Sequence, residues 1–138
     1  MKSNEVKKIL VDYLTLKQTM RVYLTCLNSQ LRSLQKACDG GWWCPYDTEE
    51  VIDRMDKANA HLQQYKMLVT AMIDLVPVEL HQSIMSDHYL KGIEWQVIAD
   101  KYNYSEKHIF NINKQCINAI ACALQGVDIN TFSVIPAP

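Results

Sequence analysis

Glycine and proline are scarce in this sequence, with four of each among 138 residues. No stretch alternates polar and apolar residues for long, and such alternation is the pattern of a half-buried β-strand. Nearly half of the residues are apolar, which is enough for a hydrophobic core. These features argue against a sheet-based fold and predict an all-α protein, either one domain or a small domain on an extended helical arm.

Long hydrophobic runs are also absent. No apolar run approaches the roughly 20 residues of a membrane span, and the N-terminus lacks the apolar run of a secretory signal. The five cysteines are an odd number, and Cys38 and Cys44 bracket a loop without the spacing of a common zinc motif. We therefore expect a cytoplasmic protein with reduced cysteines, no membrane partner, no metal and no cofactor.

The residue combinations of enzyme active sites are missing too. The sequence shows no paired carboxylates, nucleophile–base set or glycine-rich phosphate loop in a convincing context. Its four histidines are scattered, and His81 with His88, two helical turns apart, is too small a set for a metal site. We expect that the protein is not an enzyme.

Two long heptad patterns fill the first half of the chain. Their 4-3 spacing predicts two helices of roughly thirty residues, each about 45 Å long. The first pattern contains Val6, Leu10, Tyr13, Lys17, Met20, Leu24, Leu27, Leu31, Leu34 and Cys38, and the second contains Val51, Met55, Ala58, Leu62, Tyr65, Val69, Met72 and Val76. Lys17, the one charged member, either sets register or pairing, or lays its stem along the seam with its amine in water.

The segment "CDGGWWCPYDTEE" separates the two patterns. Gly40 and Gly41 can end the first helix, and Asp47 begins a capping-box pattern for the second. Because a short connection between long helices favours antiparallel neighbours, we predict a helical hairpin. Trp42 and Trp43 in this connection either cap the hairpin core or mark a partner surface.

The hairpin needs a third layer, since two helices alone bury only one stripe each. Either the C-terminal helices or a second copy of the hairpin can supply that layer. We expect a homodimer on this argument. The hairpin would then be an arm for oligomerisation or partner binding.

Two shorter helices are predicted after the hairpin. Pro77 stops the second long helix, and a helix over roughly residues 78–90 follows. A helix of about two turns comes next, after Gly92. The apolar positions are Leu80, Ile84, Met85 and Leu90 in the first of these helices, and Trp95, Ile98, Ala99 and Tyr102 in the second.

A tight turn and a longer helix are predicted after these two helices. In "YNYSEK", Asn103 tolerates the left-handed conformation and Ser105 is a good N-cap. The next helix buries Ile109, Ile112, Cys116 and Ile120, and its opposite face holds Lys107, His108, Phe110, Asn111, Lys114, Gln115 and Asn118. Two helices joined this tightly either present a helix to the major groove of DNA or close a small helical core.

The stretch "HYLKGIEWQVIADKYNYSEKHIFNINKQCINAI" resembles region 4 of the housekeeping bacterial sigma factor. It is closer still to small phage and prophage proteins that carry such a region behind a coiled-coil half, including the ArpU-like regulators of late phage genes. The shared features are "YLKG", a Trp followed three residues on by "IA", "YS", and Ile109 with Ile112. Glu94 stands where this family usually has a serine or threonine cap.

The resemblance covers roughly the last third of the chain. Together with the heptad patterns, it implies three segments. Residues 1–76 would form the hairpin arm, residues 77–125 a three-helix helix-turn-helix domain, and residues 126–138 an irregular tail. The fold expected is therefore all-α, with a long antiparallel helical hairpin before a C-terminal helix-turn-helix.

The function that the resemblance implies is sequence-specific, DNA-binding transcription regulation of phage or prophage type. The helix that begins at Ser105 would read the major groove of double-stranded DNA. The residues expected to bind DNA are Lys107, His108, Phe110, Asn111, Lys114 and Gln115. The alternative is a protein-interaction module that binds RNA polymerase or a phage partner and DNA weakly or not at all. Charge favours this alternative, because residues 77–138 carry four bases and six acids.

Overall fold

The computed structural model of the protein describes residues 1–39 and 48–127, without the side chains of residues 37–39 and 48. These residues form an all-α fold in which a long helix packs antiparallel against a second one and three short helices follow. The helices are α1 (Ser3–Asp39), α2 (Thr48–Asp74), α3 (Glu79–Tyr89), α4 (Trp95–Tyr102) and α5 (Glu106–Ala123). The predicted fold class is therefore confirmed.

Several predicted features lie outside the described residues. These are the glycines expected to end α1, the tryptophans of the connection, the capping-box aspartate, the side chains of two cysteines and the end of the tail: Gly40, Gly41, Trp42, Trp43, Asp47, Cys38, Cys44 and residues 128–138. The predictions that concern them stay predictions.

Most described members of the two heptad patterns are buried in the hairpin, as their spacing predicts, and the others are half-buried: Lys17, Leu24, Leu31, Leu34, Met55 and Leu62. The buried members are Val6, Leu10, Tyr13, Met20 and Leu27 on α1, Val51, Ala58, Tyr65, Val69 and Met72 on α2, and Val76 just after α2. The rings of Tyr13 and Tyr65 stack with their centroids 5.6 Å apart, and the hydroxyl of Tyr65 donates to the carbonyl of Ile9 at 3.2 Å. Burial raises the pKa of Tyr65 to about 12, so the phenol stays neutral and keeps this hydrogen bond.

One hydrophobic core joins the base of the hairpin to the three short helices. Its fully buried aliphatic members come from all five described helices and include Ile9, Leu10, Val69, Ile84, Ile98, Ile109 and Ile120. No described residue between Leu16 and Leu62 belongs to this core. The distal part of the arm therefore stands apart from it, while the boundary proposed at residue 76 stays a prediction.

Lys17 does not leave its amine in water, which one of its two predicted roles required, and its effect on register or pairing stays a prediction. Its amine donates to the carbonyl of Leu90, which caps the C-terminus of α3. Helix ends leave such carbonyls without an intrahelical partner, and a cation suits the negative pole of the helix. Lys17 thus ties α1 to α3.

The apolar face predicted for α3 is only partly right. Ile84 and Met85 are fully buried, but Leu80 is 39% exposed. Leu80 lies in the first turn of α3, one turn before Ile84, where the neighbouring helices cover the side chain incompletely. Across the described parts of the chain, no helix is both long and apolar enough to cross a membrane.

Candidate nucleic-acid interface

A three-residue turn joins α4 to α5 with the two devices that the sequence predicts. Asn103 ends α4 in the left-handed conformation, with φ 59° and ψ 38°. The N–H of Tyr104 returns to the carbonyl of Ala99 at 2.9 Å. Ser105 then has an extended backbone, and its Oγ accepts a hydrogen bond from the N–H of His108 at 3.1 Å. The chain therefore reverses sharply and α5 begins with a satisfied N-terminus.

An aromatic cluster made of His88, Tyr89, Trp95 and Phe110 connects the three short helices. Trp95 stacks on His88 with ring centroids 3.7 Å apart, and it meets Tyr89 and Phe110 edge-on at 5.8 and 6.2 Å. Glu94, the N-cap of α4, makes no side-chain capping bond. The packing of Trp95 thus holds a helix start that lacks a good cap.

His88 sits in this cluster as a neutral side chain. Its Nδ1–H donates to the carbonyl of Ile93 at 2.8 Å. Burial lowers the pKa of His88 below its ordinary value, although the hydrogen bond to Ile93 acts in the opposite direction. The stack of His88 on Trp95 is therefore that of an uncharged imidazole at neutral pH.

A buried carboxylate, Asp87, links α3 to the end of α4. Its side chain accepts hydrogen bonds from the ammonium of Lys101 and the hydroxyl of Tyr102, both at 2.9 Å, and forms an ion pair with Lys91 at 3.3 Å. Burial alone would raise the pKa of Asp87, but these three donors outweigh it and hold the pKa below its ordinary value.

The role of this carboxylate was not apparent from the sequence. Asp87 and Lys91 show the helical i, i+4 spacing, which is a local signal. The two bonds from the end of α4 depend on how the helices pack, so no sequence pattern pointed to them. Asp87 is the one buried charged side chain among the described residues.

The six residues predicted to bind DNA all lie on the exposed side of α5. Lys107, Asn111 and Lys114 are spaced i, i+4 and i+7, so they share one stripe about 10 Å long. His108 and Gln115 flank the stripe on one side, and Phe110, 49% exposed, flanks it on the other. We call these six residues the α5 outer face.

Two neighbours modify this face. The ring of His108 lies edge-on to Tyr104 at 4.6 Å, which links it to the turn before α5. Asn118, which continues the stripe, accepts a hydrogen bond from Ser3 on α1 at 2.9 Å. The predicted inward residues Ile109, Ile112, Cys116 and Ile120 are buried, so the predicted orientation of α5 is confirmed.

The acidic balance of the C-terminal third does not extend to α5 itself. This helix carries two lysines, Lys107 and Lys114, and one acid, Glu106. Glu106 lies in the first turn, where the positive end of the helix dipole favours a carboxylate. The α5 outer face is therefore locally cationic.

Comparisons of the chain with protein-family models, with curated proteins and with solved structures gave no match. Among residues 1–39 and 48–127, no three side chains of His, Cys, Asp or Glu come together as metal ligands. What the protein does must therefore be inferred from the sequence motif and from the geometry of α4 and α5.

Proposed function

We propose that the protein is a sequence-specific DNA-binding transcription regulator of phage or prophage type, and that α5 enters the major groove. The α5 outer face carries this proposal. It presents an amide, two ammonium groups and an aromatic ring on one exposed side of a helix that follows a tight turn. A major groove about 12 Å wide admits such a helix.

The length of the stripe fits the spacing of bases. Lys107 and Lys114 are seven residues apart, which is about 10 Å along the helix. That distance corresponds to about three base pairs at 3.4 Å each. One copy of α5 would thus read a short site, and a longer operator would need a second copy.

The chemistry of the stripe divides into specific and general contacts. The amide of Asn111 can donate to and accept from an adenine edge at the same time. Lys107 and Lys114 can reach phosphates, which gives affinity without sequence preference. Phe110 can contact the methyl group of a thymine.

Two contacts around α4 support the proposal. The aromatic cluster places Phe110 against Trp95 on α4. The carboxylate of Asp87 fixes the C-terminal end of α4 through Lys101 and Tyr102. We infer that both are positioning contacts, since a reading helix must be held rigidly by the helix before it.

Selection of bound sequences from a random DNA pool, followed by gel-shift titration, tests the proposal. Asn111→Ala should cost about 1–3 kcal/mol on the selected site and less on a scrambled duplex. Asn59→Ala is the matched control, because Asn59 is an exposed asparagine on α2. Equal parent affinity for both duplexes, with no distinct effect of Asn111→Ala, would rule out sequence-specific reading.

Salt dependence separates the phosphate contacts from base reading. Lys107→Gln or Lys114→Gln should weaken binding to both duplexes alike and reduce the salt slope by about one unit per contact. Lys66→Gln, at an exposed lysine on α2, is the control. Phe110→Ala should cost most where a thymine lies opposite the ring, with a smaller loss on every duplex because the variant also removes the contact with Trp95.

The alternative function is a protein-interaction module that binds RNA polymerase or a phage partner. The exposure of two apolar side chains on α4 and α5 favours it, since Val97 is 53% and Phe110 is 49% exposed. On this alternative, Phe110→Ala would weaken capture of RNA polymerase in a pull-down. The same variant would have no effect on the binding of any duplex.

A further inference from the structure

The distal part of the arm is a pair of helices without a third layer. Beyond the shared core, the described side chains that are buried there are Met20, Leu27, Val51 and Ala58. Apolar side chains on the outside of this part are strongly exposed, with Val22 at 65%, Tyr23 at 41% and Ile52 at 43%. An isolated hairpin leaves both flanks of its seam open, so each flank is a candidate surface.

One flank of the distal arm holds a groove of about 550 Å³ between α1 and α2. We call it the His61 groove, and its lining includes Thr19, Met20, Tyr23, Lys57, Ala58 and His61. The opposite flank has two adjoining grooves, of about 380 and 510 Å³, which share Lys17, Asn59 and Leu62. The smaller one, which we call the opposite groove, is lined by the apolar Leu24 and Met55 as well as by polar residues. Of these three grooves, the His61 groove is the largest and the most apolar.

An unsatisfied ring nitrogen distinguishes the His61 groove further. The Nε2 atom of His61 is buried and has no hydrogen-bond partner within the described part of the chain. Buried polar atoms in folded proteins nearly always have such a partner. A partner that seats in the groove could supply it.

The charges at the rim are already neutralised within α2. Arg54 pairs with Glu50 at 2.7 Å, and Lys57 pairs with Asp53 at 2.9 Å. The groove therefore offers no uncompensated positive charge to a nucleic acid or an acidic peptide. An apolar, charge-neutral helical surface fits it better.

We propose that the His61 groove receives the distal arm of a second copy of this chain, so that two hairpins form a four-helix bundle. This inference goes beyond the proposed DNA binding and does not depend on it. A distal face about 30 Å long and two helices wide covers about 600 Å² per protomer. The total of about 1,200 Å² reaches the lower end of the range of stable interfaces.

Two threonines on α1 provide a matched test of the flank. Thr19 lines the His61 groove and Thr25 lines the opposite groove. Both are exposed, and each hydroxyl donates to the carbonyl four residues earlier, at 2.9 and 2.8 Å. Replacing either by glutamate removes the same local bond and adds the same charge, so only the flank differs.

Sedimentation should show a dimer for the parent protein between about 1 and 100 µM. Thr19→Glu should raise the dissociation constant by about tenfold or more, whereas Thr25→Glu should leave it unchanged. A parent that stays monomeric, a Thr19→Glu variant that still dimerises, or dissociation by Thr25→Glu alone would each overturn the proposal. Circular dichroism would verify that both variants remain helical.

Alkylation of native cysteines in the parent protein gives a second readout that needs no substitution. Cys26 is exposed and lies seven residues after Thr19, on the same side of α1. Cys122 is exposed at the end of α5 and is the internal control. Labelling of Cys26 should slow as protein concentration rises while labelling of Cys122 stays constant. Labelling of Cys26 that is independent of concentration would contradict a second copy at this groove.

Discussion

Asp87→Asn tests whether the buried carboxylate holds α3 against α4. The side chain of Asp87 is 4% exposed, and the hydroxyl of Tyr102 and the ammonium of Lys101 share its Oδ2 atom. Lys91 pairs with the other oxygen. Asparagine keeps the shape but loses the charge, and one of its two polar atoms becomes a donor. At least one of the three donors must therefore lose its acceptor.

The size of the effect follows from the exposure of the partners. Removing one member of a buried ion pair costs about 3–5 kcal/mol when the other charge stays buried. Here the side chains of Lys91 and Lys101 are 64% and 52% exposed, so both ammonium groups can turn to water. The remaining cost is that of an imperfectly bonded buried group, and we expect the free energy of unfolding to fall by about 1–3 kcal/mol.

The pH dependence gives this prediction a second signature. Because the pKa of Asp87 is lower in the folded protein than its ordinary value of 3.8, the carboxylate form stabilises the fold. That contribution is complete above the ordinary value and is lost as the pH falls through the lowered pKa. The difference in unfolding free energy between the parent and Asp87→Asn should therefore shrink below about pH 4.

Urea denaturation followed by circular dichroism, at neutral pH and through the acid range, measures both effects. Asp100→Asn is the control, because Asp100 is an exposed acid on α4. Its effect should be within about 0.5 kcal/mol. The role of Asp87 would be contradicted if Asp87→Asn were no more destabilising than this control, or if the difference from the parent persisted unchanged into acid.

Two further predictions concern the core and the aromatic cluster. Ile109→Ala should lower the free energy of unfolding by about 2–5 kcal/mol, since Ile109 is fully buried, and a near-zero loss in urea would contradict the packing. The pKa of His88 is lowered from 6.5 in the folded protein, so the neutral imidazole stabilises the fold. This stabilisation is complete above pH 6.5 and is lost as the pH falls through the lowered pKa. His88→Phe should remove this acid-induced loss in thermal melts, whereas His108→Gln, at an exposed histidine, should retain it; equal slopes in both variants would refute the assignment.

Local patterns in the sequence determined the helices and their inward faces. The heptad spacing predicted the buried stripes of α1 and α2, since residues seven apart return to the same side of a helix. The positive φ of Asn103 and the capping bond of Ser105 involve only neighbouring residues. The exposure of the α5 outer face followed from the same periodicity, because burying Ile109 and Ile112 turns Lys107 and Asn111 outward.

Only the tertiary structure decided which groups from distant parts of the chain meet. Lys17 reaches the carbonyl of Leu90, 73 residues away, and Lys101 reaches Asp87, 14 residues away on another helix. The stack of His88 on Trp95 likewise depends on how α3 packs near α4. Periodicity fixes which side of a helix faces inward, but not the crossing geometry of two helices or the rotamers of long side chains. The crossing geometry and the rotamers determine these contacts, and both depend on the packing of the whole core.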